Sequence, residues 1–358
     1  MSASLTRPAA TPRAYDDPSA FRLLEGGWRS LFLQHGGWNL FLSWQWFSQW
    51  WRAFGSDNEL QLFALGDGDR LVGIAPLMVE TDGAGRRQLC LIGSNRTTDY
   101  GGILVDPSHL QSFCDALADF VCDGFDRWDR VELRNLPEWS PLLGSFRDCA
   151  RRRGLASSSR IANTCPVLRL PSTWEGYLAT LDKTHRHELR RKIRRAQSAG
   201  VQTLHSFTAP SDVAAGLESF FRLHCASRPE KADFLDDAMR SFFSGVALAF
   251  AEEGWLLLNF MKIDGRDVAA TLSFTRGERV LLYNSGLDPE YRSHSVGIAL
   301  HAADVRQAIE QGKLWYDCLR GNESYKYDLG GRDSPIYDLI LLPEGTGSGE
   351  GDAGQGQR

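Results

Sequence analysis

The sequence predicts an α/β protein made of two tandem units, each a mixed β-sheet flanked by helices. Three observations lead to this fold class. The chain has 358 residues, more than one hydrophobic core usually organises, so two domains are expected. Hydrophobic residues make up 42% and charged residues 24% of the chain, which indicates a globular protein rather than a disordered or fibrous one. The same order of predicted strands and helices then occurs twice.

Each copy of this repeat begins with three predicted strands. Residues 60–79 and 255–274 each contain two apolar runs separated by Asp-Gly, which is a strong hairpin signal. A further apolar strand follows at 88–93 in the first copy and at 279–286 in the second.

Each copy then continues with a helix and one more strand. The helices are predicted at 107–121 and 296–311, and the strands that follow, at 130–134 and 315–320, both end in Leu-Arg. Two units that share this order indicate a duplicated α/β domain with a mixed sheet.

Helices are predicted outside the repeat as well. Residues 174–199 combine an apolar stripe with a basic face, and further helices are expected at 213–226 and 235–251. Ser43 can cap a helix at 44–54, whose aromatic residues recur at helical spacing. That spacing favours a buried face over a ligand-binding surface.

The composition of the two ends sets the expected domain limits. Residues 1–16 are rich in Ala, Pro, Ser and Thr, and residues 344–358 are rich in Gly. Both segments are expected to be disordered, because neither can offset its ordering entropy by burying apolar surface. The N-terminal domain is placed at 17–165 and the C-terminal domain at 166–343.

Charge, cysteine usage and hydropathy narrow the classes of function. The net charge of −5 argues against a general nucleic-acid-binding protein. The seven cysteines form no Cys-x-x-Cys pair, which favours reduced thiols and a cytoplasmic protein. No apolar run reaches the ~20 residues that span a membrane, and no signal-peptide pattern is present. Without a His-Glu-x-x-His motif or an Asp-rich loop, no metal is expected.

One segment is strongly basic despite the acidic net charge. Residues 183–195 contain seven Lys or Arg residues and a single acid, Glu188. Such a helix face could contact the phosphates of CoA or of a nucleotide-sugar, or the acceptor stem of a tRNA. A solvated helix face explains the same charges.

The first candidate site is the loop at 284–300. A strand ends at Tyr283 and a helix begins near Val296, with Ser295 placed to cap it. The free amides of a helix N-terminus, together with the charge of Arg292, form an anion site. A connecting loop whose serine only caps the helix is the alternative.

This loop and its surroundings resemble a known superfamily. Residues 292–297, Arg-Ser-His-Ser-Val-Gly, are similar to the acyl-CoA pyrophosphate loop of the GNAT acetyltransferases, whose pattern is Gln/Arg-x-x-Gly-x-Gly/Ala, with Ser295 in place of the first glycine. The stretches 283–291 and 316–326 resemble the CelD-like, FemAB-related branch. The resemblance covers roughly residues 40–330. Shorter supporting stretches are 43–46, 50–51, 75–77, 99–100 and 221–224 with Arg228.

The resemblance implies two tandem GNAT-like domains and an N-acyltransferase activity. The co-substrate would be acetyl-CoA or another acyl-CoA, bound by the C-terminal unit. The acceptor amine, in the cleft between the domains, would belong to an amino sugar or a precursor in exopolysaccharide or cell-envelope biosynthesis. The residues expected to bind the co-substrate are Arg292, Ser293, Ser295, Val296, Gly297 and Ile298.

The second candidate site is the segment 317–326, where a strand ends close to the predicted anion site. Acylation of an amine requires a base, an oxyanion stabiliser and a proton donor for the leaving thiolate. Asp317 is favoured over Glu323 as the base, although a structural pair of Asp317 with Arg320 is the alternative. The candidate catalytic residues are Asp317, Glu323, Tyr283 and Tyr325. The candidate acceptor-binding residues are Asp99, Tyr100, Ser285, Tyr291, Arg320 and Lys326.

Two other functions remain open at this point. A FemX-like transferase would take its acyl group from an aminoacyl-tRNA and act on a peptidoglycan-type precursor. A catalytically silent domain would only bind an envelope-assembly partner. The acceptor is expected to be a small molecule or glycan precursor, and tRNA is the only nucleic acid considered. The sequence does not indicate the oligomeric state.

Overall fold

The computed structural model describes residues 10–345, and its strands form one large mixed sheet. The strands are β1 Thr11–Tyr15, β2 Glu59–Asp67, β3 Arg70–Thr81, β4 Arg87–Leu91, β5 Leu104–Val105, β6 Arg130–Pro137, β7 Leu155–Arg169, β8 Gln202–Phe207, β9 Leu256–Ile263, β10 Arg266–Arg276, β11 Arg279–Leu287, β12 Trp315–Asp317 and β13 Arg332–Pro343. Their spatial order is β1-β2-β3-β4-β6-β13-β7-β12-β11-β10-β9-β8, with β5 paired to β3 beside this path.

The helices include every one that the sequence predicts. They are α1 Ala20–His35, α2 Trp44–Phe54, α3 Leu110–Asp123, α4 Arg147–Arg152, α5 Trp174–Thr180, α6 Lys183–Gln197, α7 Pro210–Ser227, α8 Pro229–Phe234, α9 Asp237–Glu252, α10 Val296–Glu310 and α11 Ser324–Asp328. The predicted single helix at 174–199 is instead two helices. Asp182 caps the N-terminus of α6 by accepting a hydrogen bond from the amide of His185 at 2.9 Å, so α6 starts anew.

Both copies of the repeat are present. Asp264-Gly265 forms the two-residue turn of the hairpin β9–β10. In the hairpin β2–β3 the turn is shifted by one residue, because Asp67 still pairs with Arg70 and the turn residues are Gly68 and Asp69. After the helices α3 and α10, the strands β6 and β12 return parallel to β4 and β11, respectively. The predicted strand at 315–320 ends early, at Asp317, because Leu319 adopts a left-handed conformation with φ of 55°.

The two units are joined by an exchange of their last strands. β7 follows the N-terminal unit but pairs with β12 of the C-terminal unit. β13 follows the C-terminal unit but pairs with β6 of the N-terminal unit. The predicted boundary between residues 165 and 166 therefore lies inside a strand rather than in a linker. Sequence composition could not show this, since a boundary strand has no distinguishing composition.

The N-terminal segment corrects a second expectation. Residues 1–16 were predicted to be disordered, but residues 11–15 form β1, which pairs antiparallel with β2. Most β1 side chains are exposed, so its order comes from the backbone ladder, which needs no apolar side chains. Residues 1–9 and 346–358, which make up most of the two segments predicted to be disordered, lie outside the described residues.

Helix α2 belongs to the core between the two units, as its aromatic spacing predicts. The ring of Trp46 lies 5.0 Å from that of Phe242 in α9 and 5.5 Å from that of Tyr283 in β11. The hydroxyl of Ser43 caps the helix by accepting from the amide of Trp46 at 3.2 Å. The indole of Trp46 donates to the hydroxyl of Thr98 at 3.0 Å. The loop at 96–100 is thereby held against the C-terminal unit.

Candidate active site

A cavity of about 380 Å³ opens where β11 and β12 separate. Their parallel pairing ends at Leu281 and Asp317. Beyond this point β11 continues alongside β10, while the chain after β12 follows β7. The amides of Cys318 and Gly321 donate to the carbonyls of Pro166 and Thr164 at 2.9 and 3.0 Å. The two strands are thus held apart by different neighbours, and the cavity is the space between them.

The cavity passes between the two faces of the sheet. Successive strand residues point to opposite faces: Leu281 packs with Phe220 of α7, and Leu282 packs with Val305 of α10. Helices α7 and α10 therefore lie on opposite faces, and both contribute to the lining. The lining residues are Ser227, Arg228, Lys231, Leu282, Tyr283, Asn284, Ser285, Gly286, Leu287, Arg292, Ser295, Gly297, Ile298, His301, Cys318, Leu319, Arg320, Glu323, Tyr325 and Lys326.

The N-terminus of α10 faces this cavity without a side-chain cap. Ser295 precedes the helix with φ of 60°, and its hydroxyl makes no capping hydrogen bond. The expectation that Ser295 caps the helix is therefore wrong, because its backbone conformation directs the hydroxyl elsewhere. Gly297 and Ile298 of the first turn line the cavity, so their amides are available to an anion.

The other residues predicted to bind the co-substrate are divided. Arg292 lines the cavity, and its guanidinium donates to the carbonyl of Ser227 at the end of α7. Val296 is buried in a core cluster, and Ser293 is exposed and not part of the lining. Val296 can therefore take part in anion binding through its backbone amide but not through its side chain.

Asp317 does not line the cavity. It is fully buried, and it accepts hydrogen bonds from the hydroxyl of Tyr100 at 2.9 Å, from Nη1 of Arg279 at 2.8 Å and from the amide of Leu319 at 2.9 Å. Burial raises the pKa of Asp317, and the charge of Arg279 opposes this change. The geometry matches the structural alternative, but the partner is Arg279 and not the predicted Arg320.

The residues Asp99 and Tyr100 hold the two units together at the cavity. Tyr100 donates to Asp317, as described, and Asp99 pairs with Arg320, whose Nε lies 3.2 Å from Oδ1. Both Asp99 and Tyr100 are buried and absent from the lining. Their contacts place Arg320 at the wall of the cavity. Asp99 and Tyr100 were themselves expected to contact the acceptor, and in this structure they support the wall instead.

Lys326 supports the loop that ends β12. Its ammonium group donates to the carbonyls of Leu319, Arg320 and Gly321 at 3.0, 2.9 and 3.3 Å. It also forms an ion pair with Glu323 at 2.9 Å. Since an ammonium group has three donors, these partners occupy it fully. The expectation that Lys326 binds an anionic group of the acceptor is therefore not met in this structure.

The remaining predicted residues differ in whether they line the cavity and in what their side chains contact. Glu323 and Tyr325 line it, and the ring of Tyr325 stacks on His301 with 4.9 Å between centroids. Tyr283 also lines the cavity, but its hydroxyl donates to the carbonyl of Thr97 at 3.1 Å. Tyr291 lies outside the lining, beneath the guanidinium of Arg266. Ser285 lines the cavity, and its carbonyl accepts a hydrogen bond from Lys231.

Four lining or neighbouring residues were missed as site residues. Lys231 donates to the carbonyl of Ser285 at 2.6 Å, and burial, with the nearby charge of Arg228, lowers its pKa to about 8. Burial lowers the pKa of His224 and of His301 to about 4. Nδ1 of His301 has no hydrogen-bond partner among the described residues. Arg228 and His224 occurred only in the stretches that support the resemblance, and nothing in the sequence places Lys231 or His301 beside the cavity.

The corresponding position in the N-terminal unit is closed. The side-chain amide of Asn135 donates to the carbonyls of Ser94 and Thr98 at 2.6 and 2.9 Å, so the loop at 94–98 fills the space where β4 and β6 separate. The apolar gap that remains beside these strands is about 10 Å³. Of the two units, the C-terminal one therefore holds the open cavity.

Comparisons with known proteins agree with this placement. Residues 183–327 match the family model of the acetyltransferase (GNAT) domain. That segment includes the whole lining of the cavity, from residue 227 to residue 326. No curated protein matches the chain.

Solved structures that are similar share the fold over most of the chain. The structure of FemX has a TM-score of 0.61 and 12% identity, and the match covers 92% of this chain and 96% of FemX. L-PGS from Bacillus licheniformis has a TM-score of 0.56 and 11% identity, with 92% of each chain covered. The C-terminal domain of a putative lysylphosphatidylglycerol synthetase from Agrobacterium fabrum has a TM-score of 0.53 and 12% identity, with 82% of this chain and 86% of that domain covered.

The structure confirms the predicted α/β fold class with a repeated sheet-and-helix unit, and the GNAT family model matches residues 183–327 in the C-terminal unit. At such identities the solved structures concern the fold alone, and a GNAT-like N-terminal unit stays a prediction. The CelD-like branch stays a prediction. Within residues 10–345, no helix is long and apolar enough to cross a membrane. In the same part of the chain, no group of three or more His, Cys, Asp or Glu side chains is arranged to hold a metal ion.

The buried position of Asp317 leads to a stability prediction. We expect Asp317→Asn to lower the free energy of unfolding by on the order of 3 kcal/mol, because Arg279 would stay buried without its charged partner. Urea unfolding measures this change. Asp328→Asn is the control, since Asp328 pairs with Lys192 in a partly exposed position, where a pair contributes at most about 1 kcal/mol. Normal stability with a large loss of turnover would instead identify Asp317 as a catalytic group.

The buried imidazole of His301 leads to a pH prediction. Its folded-state pKa is about 4, below the usual 6.5, so the unfolded chain takes up this proton first as the pH falls. Stability should therefore decrease between about pH 6.5 and pH 4, by up to about 3 kcal/mol for this group. His301→Phe keeps the stack on Tyr325 and should lose less stability over that range. The control variant is His205→Phe, which replaces an exposed histidine. Equal pH profiles of stability for His301→Phe and the wild type would contradict the prediction.

Proposed function

We propose that this chain is an N-acyltransferase that moves an acyl group from acyl-CoA to an amine. The acceptor is an amino sugar or a precursor in exopolysaccharide or cell-envelope biosynthesis, and the reaction takes place in the cytoplasm. The observation that carries the proposal is the cavity between β11 and β12, which ends at the uncapped N-terminus of α10. All seven cysteines are free thiols in the structure, in line with a reducing compartment.

The α10 side of the cavity suits the donor. The amides of residues 296–298 and the guanidinium of Arg292 would bind the pyrophosphate of acyl-CoA. The acyl-bearing arm would then enter the gap between the strands. A β-bulge in β11 lies beside this gap: Leu282 pairs with Ser273 and Asn284 with Leu272, which leaves Tyr283 as the extra residue. Bulges release a residue from the strand ladder next to active sites, so the Tyr283 amide is the proposed donor to the thioester oxyanion.

The α7 side of the cavity suits the acceptor. Arg228 and Lys231 would bind an anionic group of the acceptor, and Glu323 would bind its ammonium group. Burial disfavours the ionised form of Glu323, but the hydrogen bond and charge of Lys326 outweigh it and lower the pKa of Glu323. Glu323 is therefore ionised at neutral pH, and it can accept the ammonium proton directly or through water.

The reaction then proceeds by addition and elimination. The neutral amine attacks the thioester carbon, and the tetrahedral oxyanion accepts the hydrogen bond proposed for the amide of Tyr283. As the C–S bond breaks, the hydroxyl of Tyr325 donates a proton to the leaving thiolate. The positively charged nitrogen of the intermediate gives up its second proton, which returns through water to the Tyr325 oxygen, so that the amide, the thiol and the tyrosine hydroxyl are all neutral at the end. Burial raises the pKa of Tyr325, which keeps this hydroxyl protonated until it is needed.

Donor binding is tested by substitution of Arg292. We expect Arg292→Gln to weaken acetyl-CoA binding by about tenfold or more, since a charge-assisted contact to phosphate contributes about 1.5 kcal/mol or more. Titration calorimetry measures the affinity. Arg306→Gln is the matched control on the far part of the same helix, where Arg306 pairs with Glu310. A wild-type protein with no affinity for acyl-CoA would overturn the proposed donor.

Catalysis is tested by two substitutions that keep the shape of the cavity. We expect Glu323→Gln and Tyr325→Phe each to lower kcat by about 10²-fold or more, the loss typical of an acid–base group. Melting temperatures should change little, because buried Lys326 keeps its three carbonyl acceptors in Glu323→Gln and Phe retains the stack on His301 in Tyr325→Phe. Glu175→Gln, on the exposed surface of α5, is the control. Full activity in both variants would remove these residues from the mechanism.

A second candidate function is favoured by the exposed basic face of α6. Five basic side chains of α6 have no ion-pair partner among residues 10–345. They are Lys183, Arg186, Arg190, Arg194 and Arg195. Such a face suits the phosphates of an aminoacyl-tRNA donor. Specific tRNA binding with a steep salt dependence, in a protein without affinity for acyl-CoA, would favour this function.

A further inference from the structure

A second, larger cleft of about 1,040 Å³ lies at the other end of the β11–β12 pair. We call it the arginine–tryptophan cleft, after its lining residues Trp139, Arg169, Arg279, Trp315 and Arg332. None of these residues lines the cavity between β11 and β12, which we call the donor cavity, and the N-acyltransferase mechanism does not use them.

Three of these side chains form one row across the sheet. Trp315 of β12 lies opposite Arg169 of β7 and opposite Arg279 of β11, and residues directly opposite share a face. The guanidinium of Arg279 is 5.4 Å from the ring of Trp315 and 4.0 Å from that of Trp38. The guanidinium of Arg169 is 6.0 Å from Trp315. The aromatic rings thus hold the two guanidinium groups at the floor of the cleft.

The arginines of the cleft form no ion pair with the acids that line it, within residues 10–345. The two acids in the lining, Asp182 and Asp333, are engaged by His185 and by the hydroxyl of Tyr327. Within residues 10–345, Arg169 and Arg332 have no ion-pair partner. Arg279 pairs with Asp317, yet its buried Nε has no hydrogen-bond partner in the same range. A buried donor without a partner is costly, and an anion in the cleft would satisfy it.

The rim of the cleft carries an exposed aromatic ring. Trp139 is 57% exposed, and its inner edge contacts Trp38, with 6.0 Å between centroids. A large ring held in this way is a ready surface for stacking of a flat ring. Arginine, in turn, binds phosphate oxygens through paired N–H groups. A cleft of this volume accommodates a ligand larger than a mononucleotide.

We propose that the arginine–tryptophan cleft binds a diphosphate attached to a flat ring, as in a nucleoside diphosphate. Arg169, Arg279 and Arg332 contact the diphosphate, and Trp139 stacks on the base. A free nucleoside diphosphate and a sugar-linked one share this chemistry. The site is separate from the donor cavity, so both can be filled at once.

The test uses the full chain and titration calorimetry. Uridine diphosphate should bind to the Arg292→Gln variant as tightly as to the wild type, which excludes the donor cavity as its site. The double variant Arg169→Gln with Arg332→Gln should bind it about 100-fold more weakly, or about tenfold for each lost contact. Trp139→Ala should weaken uridine diphosphate but not inorganic pyrophosphate, which has no ring. Tighter binding of UDP-N-acetylglucosamine than of uridine diphosphate would identify the sugar-linked form as the ligand, and equal binding the free form.

Two controls separate this proposal from the donor site. Arg190→Gln removes an exposed, unpaired arginine outside the cleft and should leave the affinity unchanged. Arg292→Gln, which affects the donor cavity, should do the same. The proposal is overturned if uridine diphosphate does not bind, if Arg292→Gln weakens its binding as much as the double variant does, or if the double variant binds it like the wild type. Each of these results leaves the proposed acyl transfer intact.

Discussion

The antiparallel pairing of β7 with β13 is the interaction on which the rest of the structure depends. It runs from Arg332 opposite Val167 to Pro343 opposite Leu155, and it joins the two halves of the sheet. Because each of these strands also pairs with the other unit, the halves cannot separate without breaking a continuous ladder. The pairing also determines where the chain goes after β12, since the residues that follow Asp317 stay hydrogen-bonded to β7. The cavity is a direct consequence, because β11 remains with β10.

The duplicated units have become different at the same point of their folds. In both units two parallel strands separate after three paired residues. In the N-terminal unit, Asn135 ties the loop at 94–98 into the gap. In the C-terminal unit, Lys326 holds the chain beyond β12 at the side of the gap and leaves its centre open. One side-chain amide and one ammonium group thus decide which unit can accept a ligand.

The closed unit still contributes to the open one. Its loop at 96–100 supplies Tyr100 to Asp317 and Asp99 to Arg320, so the cavity wall is built from both halves of the chain. Asp317 also connects the two proposed ligand sites, because it pairs with Arg279 in the arginine–tryptophan cleft and accepts from the amide of Leu319 at the cavity between β11 and β12. Cavity and cleft therefore lie on either side of one buried carboxylate.

The sequence by itself determined the local elements and the loop at the donor cavity. The Asp-Gly turns, the cap of α2 at Ser43 and the start of α10 near Val296 depend on neighbouring residues, so a local pattern is sufficient to predict them. Arg292 and Gly297 could be predicted as residues of this loop for the same reason, since the motif that contains them is contiguous in the sequence.

Only the tertiary structure decided which side chains meet. Asp317 was expected to face a substrate or Arg320, but its partners Arg279 and Tyr100 lie 38 and 217 positions away in the chain. Lys231 reaches the cavity through the hydrogen bond from its side chain to the carbonyl of Ser285 in β11, and His301 through the packing of α10 against β11. No local pattern indicates either contact. The exchange of β7 and β13 was likewise not predictable, because pairing between distant strands depends on burial and backbone hydrogen bonds across the whole fold rather than on the residues of either strand.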